Sequence, residues 1–85
     1  MKVVKRDASL ADFDKRKIET AILKSMKNGS GIVKPDIAAK IADEIEVECS
    51  ESGEDEIDIS DIELMVFDKL ITKKQRLTAR AYEGY

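Results

Sequence analysis

The stretch Val3-Val4-Lys5-Arg6-Asp7-Ala8-Ser9-Leu10-Ala11-Asp12-Phe13-Asp14-Lys15-Arg16-Lys17-Ile18 decides how this chain folds. A β-branched run ends at Lys5-Arg6, a turn falls at Asp7-Ala8-Ser9, the chain runs back to Phe13, and a helix opens at Asp14. Two runs around a tight turn predict a hairpin of short strands, Met1–Arg6 and Ser9–Phe13. Asp14 is a good N-cap, and Phe13 before it can meet Ile18 at the fourth helical position as a hydrophobic staple. The helix then begins with Lys15, Arg16 and Lys17, cations where the helix dipole favours negative charge, each unfavourable by about 0.3–1 kcal/mol. A local rule broken this consistently is expected at a functional site. The simplest compensation is an anion held where a cationic hairpin meets a helix N-terminus, and phosphate is the leading candidate.

Outward from this stretch the pattern is helical. The first helix continues to about Asn28 with Ile18, Ala21, Ile22, Ser25 and Met26 on its inner face, and Asn28-Gly29-Ser30-Gly31 ends it in an αL-permissive segment. A second helix opens at Pro35, a favoured first position, with Asp36 next to suit the dipole. Ile37, Ile41, Ile45 and Cys49 recur every fourth residue, supported by Ala38 and Ala42, while Glu44, Glu46 and Glu48 are expected to face outward. Ile57-Asp58-Ile59 alternates and predicts a third short strand beside the hairpin. Ser60-Asp61-Ile62-Glu63 reads as a capping box opening the third helix, with Ile59 and Leu64 as a second staple. That helix has one apolar stripe of Ile62, Met65, Val66 and Leu70 and another of Leu64, Phe67 and Ile71, as expected in the middle of a bundle. Lys73-Lys74 mark its end, and Leu77 to Tyr85 make a shorter fourth helix. The expected fold is α+β: a four-helix bundle capped at one end by a three-stranded sheet, the N-terminal hairpin plus one short strand.

Eighty-five residues make one domain. A chain of this size buries about 60–65% of its unfolded surface, so a surface groove is easier to build than a deep enclosed site. The net charge of −3 hides a segregation: residues 1–40 carry ten Lys/Arg against five Asp/Glu, residues 41–63 eleven acids and no base, and residues 64–85 five bases against two acids. The acidic middle repels nucleic acid and anionic membranes, and neither is expected as a partner. No apolar run approaches the length of a membrane span, and no signal-peptide pattern is present. A lone cysteine supports neither an internal disulfide nor a Cys-based zinc site, and a cytoplasmic location is expected.

Several chemistries are excluded. No segment fits G-x-x-x-x-G-K-[ST], so a P-loop is absent. The chain contains no histidine, which removes His-based triads and most transition-metal sites. Cys49, on an apolar helix face, reads as a small buried hydrophobe. The acids from Glu44 to Glu63 lack EF-hand spacing and read as a solvated face. Lys5, Arg6, Lys15, Arg16 and Lys17 leave two readings open, solvated surface cations or an anion site. Three features point to the site: the cations come from two elements meeting at a tight turn, they surround a helix N-terminus, and Val3, Val4, Phe13 and Ile18 accompany them. Apolar walls with a few convergent donors describe a nucleotide pocket, in which apolar groups sandwich a base and cations take its phosphates.

This arrangement resembles the ATP-cone domain, the regulatory nucleotide-binding module at the N-terminus of many ribonucleotide reductases and in the bacterial repressor of their genes. The motif is Val3-Val4-Lys5-Arg6-Asp7, a short turn, then Phe13-Asp14-x-x-Lys17-Ile18. Ala21-Ile22-Leu23, Ile59-Ser60-Asp61-Ile62 and Leu77-Thr78-Ala79-Arg80-Ala81-Tyr82 extend the likeness over essentially the whole chain, residues 1–85. The last segment looks most like the anaerobic, glycyl-radical class of ribonucleoside-triphosphate reductase. The resemblance implies ATP and dATP as ligands, with Mg2+ accompanying the phosphates. It also implies a nucleotide site made by Val3, Lys5, Arg6, Phe13, Asp14, Lys17, Ile18 and Ile59. By that likeness Lys5, Arg6 and Lys17 hold phosphates, Phe13 and Ile18 wall the base, and the backbone around Asp14 reads the adenine edge. Two positions depart from the family. Ala8 stands where Gly usually follows Lys-Arg-Asp, costing on the order of 1 kcal/mol if the turn needs φ > 0. Ala11 replaces an acidic residue often present before the helix, which bears on adenine reading.

The chain has no catalytic set of its own, since ribonucleotide reduction needs several cysteines and a radical source. The implied role is an allosteric sensor whose packing on a reductase catalytic domain, or on a second copy of itself, depends on the bound nucleotide. The chain stops at Tyr85, directly after the segment that resembles the family's last helix, as expected of a domain excised from a longer enzyme. The alternative is a degenerate cone, or a small helical interaction module, that binds a protein through its acidic stretch and takes no nucleotide.

Overall fold

The chain runs β1 (Lys2–Val4), β2 (Leu10–Asp12), α1 (Lys15–Asn28), α2 (Pro35–Glu51), β3 (Glu56–Asp58), α3 (Ile59–Thr72) and α4 (Arg76–Glu83) in a computed structural model that describes residues 1–83. The α+β expectation holds: four helices carry a three-stranded sheet of order β2-β1-β3. β1 pairs antiparallel with β2, Val3 opposite Ala11, and parallel with β3, Val3 opposite Ile57.

The hairpin strands are three residues each, shorter than the sequence suggests, because their ends are taken by the turn and by the cap of α1. The Lys5 N–H donates to the Ser9 carbonyl at 2.8 Å and the Ala8 N–H to the Lys5 carbonyl at 2.9 Å. Ala8 sits at φ 70°. This is a three-residue hairpin loop closed by a left-handed residue, a position that favours glycine. The turn does need positive φ, and Ala8 supplies it with strain of roughly 1–2 kcal/mol. Asp7 offsets some of this: its carboxylate accepts from the Ser9 N–H at 3.0 Å and the Ser9 hydroxyl at 2.6 Å.

Asp14 caps α1 by accepting from the Arg16 N–H at 3.0 Å, and Ile18, Ile22, Ser25 and Met26 are buried beneath it. Its other end differs from the expectation. Gly31 carries the positive φ, 78°, whereas Gly29 stays at −88°. Gly29 is required for closeness instead: a Cβ there would lie 2.5 Å from the Leu77 carbonyl oxygen, so α4 packs against bare backbone.

On α2 the buried face is Ala38, Ile41, Ala42, Ile45 and Cys49, with Ile37 half-buried. Glu44 does not face outward. It is half-buried and meets Lys73 at 2.9 Å, and Glu48 meets Lys69 at 3.1 Å, so two ion pairs bridge α2 to α3 and its C-cap.

The capping box at Ser60 does not form. Pairing with β1 fixes residues 56–58 as strand, and Asp58, at φ −73° and ψ 140°, hands the chain directly into α3 at Ile59. Ser60 is therefore already helical. The inner face becomes Ile62, Val66 and Leu70, which turns Leu64 outward to 63% exposure, so Leu64 makes no staple with Ile59. Ile71 is also exposed, and α3 lies against the bundle on one side instead of in its middle. The fourth helix, expected from Leu77 to Tyr85, opens one residue earlier and runs from Arg76 to Glu83; residues 84 and 85 lie outside the described region.

Two substitutions test these backbone positions in urea unfolding followed by circular dichroism. Gly29→Ala is expected to lose about 1–3 kcal/mol through overpacking against Leu77. Ala8→Gly is expected to gain about 0.5–1 kcal/mol, the relief of left-handed strain less the added freedom of the unfolded chain.

Candidate functional site

A groove of about 450 Å³ opens where the hairpin turn, the N-terminus of α1 and the first turn of α3 meet. That volume lies within the range of small-molecule sites. Its walls contain Val3, Lys5, Arg6, Phe13, Asp14, Lys17, Ile18 and Ile59, all eight residues singled out from the sequence. Asp7, Ala11, Asp12 and Ile62 complete the lining. Ala11 and Ile62 were legible in principle, since Ala11 shares a strand face with Phe13 and Ile62 lies one helical turn beyond Ile59.

Local structure explains the convergence. The two-residue period of an extended chain carries Lys5 on the side of Val3. Val3 and Ile18 are buried and Phe13 and Ile59 half-buried, giving an apolar floor. Asp14 lines the groove at the start of α1, its carboxylate accepting the Arg16 N–H at 3.0 Å and its carbonyl the Lys17 N–H at 3.1 Å. Asp14's own carboxylate is engaged by Arg16, and Asp7's by Ser9, whose hydroxyl chiefly holds the Asp7 carboxyl below the usual range. Asp12 is likewise held low by its hydrogen bond from Lys2.

The cations divide into two groups. Lys15 turns away and meets Asp43 at 3.0 Å and Glu46 at 3.7 Å on α2, and the Asp43 hydrogen bond pushes its ammonium pKa up. One of the three unfavourable charges at the start of α1 is therefore compensated inside the protein. Arg6 meets Glu63 of α3 at 2.5 Å. Lys5, Arg16 and Lys17 have no ion-pair partner among the described residues. The groove thus presents two ammonium groups, Lys5 and Lys17, that make no direct ion pair among the described residues, with Asp7 and Asp12 of the lining within their fields. Among the described residues no group of three or more His, Cys, Asp or Glu is arranged to hold a metal.

The family model for the ATP cone domain matches residues 1–85. The chain belongs to this family. No curated protein matches it significantly. ATP cones bind adenine nucleotides as effectors and act as allosteric regulatory domains, not as catalysts. In this ATP cone the one cysteine, Cys49, is buried and burial raises its thiol pKa, leaving it a packing residue. No described helix is long and apolar enough to cross a membrane.

In this ATP cone Tyr82 of α4 lies within the fields of Arg6 and Glu63. Burial first, then the Glu63 charge, push its phenol up to about 12, with Arg6 acting the other way. The folded state therefore prefers the neutral phenol. That contribution to stability is complete below pH 10 and is lost as pH rises through about 12. An absorbance titration is expected to show a tyrosine component near 12 that Tyr82→Phe removes. A component of that variant still titrating near 12 would contradict the burial of Tyr82.

Proposed function

We propose that this ATP cone discriminates ATP from dATP, each with Mg2+, and regulates a ribonucleotide reductase to which it is joined, in the cytoplasm. By the resemblance of its closing segment, the enzyme is of the anaerobic, glycyl-radical class. The observation that carries the reading is that Lys5 and Lys17, which make no direct ion pair among the described residues, line one groove with Val3, Phe13, Ile18 and Ile59 at a helix N-terminus. An anionic ligand with one flat apolar end satisfies both halves of such a site.

In this reading Lys5, Arg6 and Lys17 take the phosphates, assisted by the N–H groups that open α1. Phe13 and Ile18 sandwich the adenine, Val3 and Ile59 close the floor, and the backbone at Asp14 reads the base edge. The chain supplies no group for bond making, so its output is a change in packing. A nucleotide shifts such an equilibrium only through its differential affinity for the two states, so ATP and dATP must differ in how the ribose 2′ position is felt. Ile59 lines the groove and begins α3, the same helix that exposes Leu64 and Ile71. A tilt of that one rigid element carries a change in the groove to an apolar face suited to the catalytic domain or a second cone. The exposed stripe also suits the second reading, a protein-binding module that takes no nucleotide.

Isothermal titration separates the two. Saturable heat with ATP and dATP, and much weaker binding of GTP, is expected. Lys5→Ala and Lys17→Ala should each weaken ATP about ten-fold or more, the scale of a charged hydrogen bond. No heat and no thermal stabilisation at millimolar nucleotide would favour the protein-binding reading.

A further inference from the structure

Resting on the nucleotide reading, we propose that Glu63 is a built-in competitor for the nucleotide's phosphates. It holds the Arg6 guanidinium in the empty domain and gives it up when ligand binds. Arg6 lies on the hairpin turn and lines the groove, yet its guanidinium is bound to a carboxylate 57 positions along the chain, on α3. Glu63 itself does not line the groove. The Arg6 side chain is 76% exposed, so nothing packs it in place and it is free to rotate about its long stem. A guanidinium forms its fork of hydrogen bonds with a carboxylate or a phosphate, and competing oxyanions within its sweep exchange for it.

Two consequences follow from the position of Glu63. Affinity for a phosphate ligand is set lower than the cation count suggests, because one of the three phosphate-side cations must first leave a partner. Release of Arg6 also leaves a bare carboxylate on α3 in the field of Tyr82 on α4. The same event that fills the groove therefore changes the charge balance between the two helices that pack together behind it. Glu63 acts here through Arg6 and is a positioning residue, not a ligand contact.

The test is a double-mutant cycle on the whole chain with ATP and Mg2+, comparing wild type, Glu63→Gln, Arg6→Ala and the double variant. Glu63→Gln keeps the shape and removes the charge. It is expected to tighten ATP about two- to five-fold, the scale of an exposed ion pair, and to have no effect once Arg6 is Ala. The Arg6 side-chain Hε resonance gives a second readout. It should differ between wild type and Glu63→Gln when empty and coincide when both are saturated with ATP. Unchanged affinity in Glu63→Gln, or a gain that persists without Arg6, overturns the competition and leaves the nucleotide reading standing. Absence of saturable ATP binding in all four proteins overturns that reading and the competition together.

Discussion

The three residues of β1 pair with β2 on one side and with β3 on the other, and this double pairing brings the functional surface together. Antiparallel pairing with β2 turns the chain at Lys5–Ser9 and delivers Phe13 and Asp14 to the start of α1. Parallel pairing with β3 requires a long crossover, filled by α1 and α2, and delivers Ile59 to the same place. Three points distant in sequence thus meet at one edge: a cationic turn, a helix N-terminus and the apolar first turn of a second helix. Without the β1–β3 ladder, Ile59 and Ile62 would have no fixed relation to Val3 and Phe13, and the groove would lack a wall.

Charge is segregated along the chain and then recombined by folding. The acids of α2 take up Lys15 of α1, Lys69 of α3 and Lys73 at its end. Exposed pairs of this kind contribute little to stability and more to the orientation of neighbouring elements. Their effect at the groove is selective: Lys15 is drawn away to Asp43 while Lys17, two residues on, makes no ion pair among the described residues and lines the groove with Lys5. The result is a small focus of positive charge on a chain whose net charge is −3.

Much of this was readable in the residues where local and tertiary preferences agree. The hairpin, the Asp14 cap and the buried stripe of α2 with Cys49 follow from alternation, capping chemistry and four-residue spacing and are present, and the third strand is present one residue earlier, at Glu56–Asp58, with Ile59 already in α3. The start of α3 departs from the local pattern, since Ser60-Asp61-Ile62-Glu63 satisfies a capping box in sequence while the helix opens at Ile59. Whether a residue precedes or enters the helix is decided by the ladder to β1, a non-local pairing. Leu64 and Ile71 were misread for a related reason: a stripe wide enough to be buried on two sides says nothing about whether a second neighbour exists. Gly29 was legible as a glycine at a helix end, but its reason, the Leu77 carbonyl, belongs to a helix almost fifty residues away. The eight groove residues come from the likeness to the family; the residues themselves point to Val3, Lys5, Arg6, Phe13, Lys17 and Ile18, which cluster in two short segments, while nothing local marks Ile59 as their neighbour. The Arg6–Glu63 pair, spanning most of the chain, left no local trace.

In the function we propose, an adenine nucleotide enters the groove between the hairpin turn, α1 and α3. Amide proton–nitrogen correlation spectra recorded through an ATP titration test it most directly. A nucleotide in the groove gives saturable shifts concentrated at residues 3–6, 13–18 and 59–63, with a smaller response along α3 and α4. Shifts centred on the α2 face around Val47, or a spectrum unchanged at millimolar ATP, would contradict it.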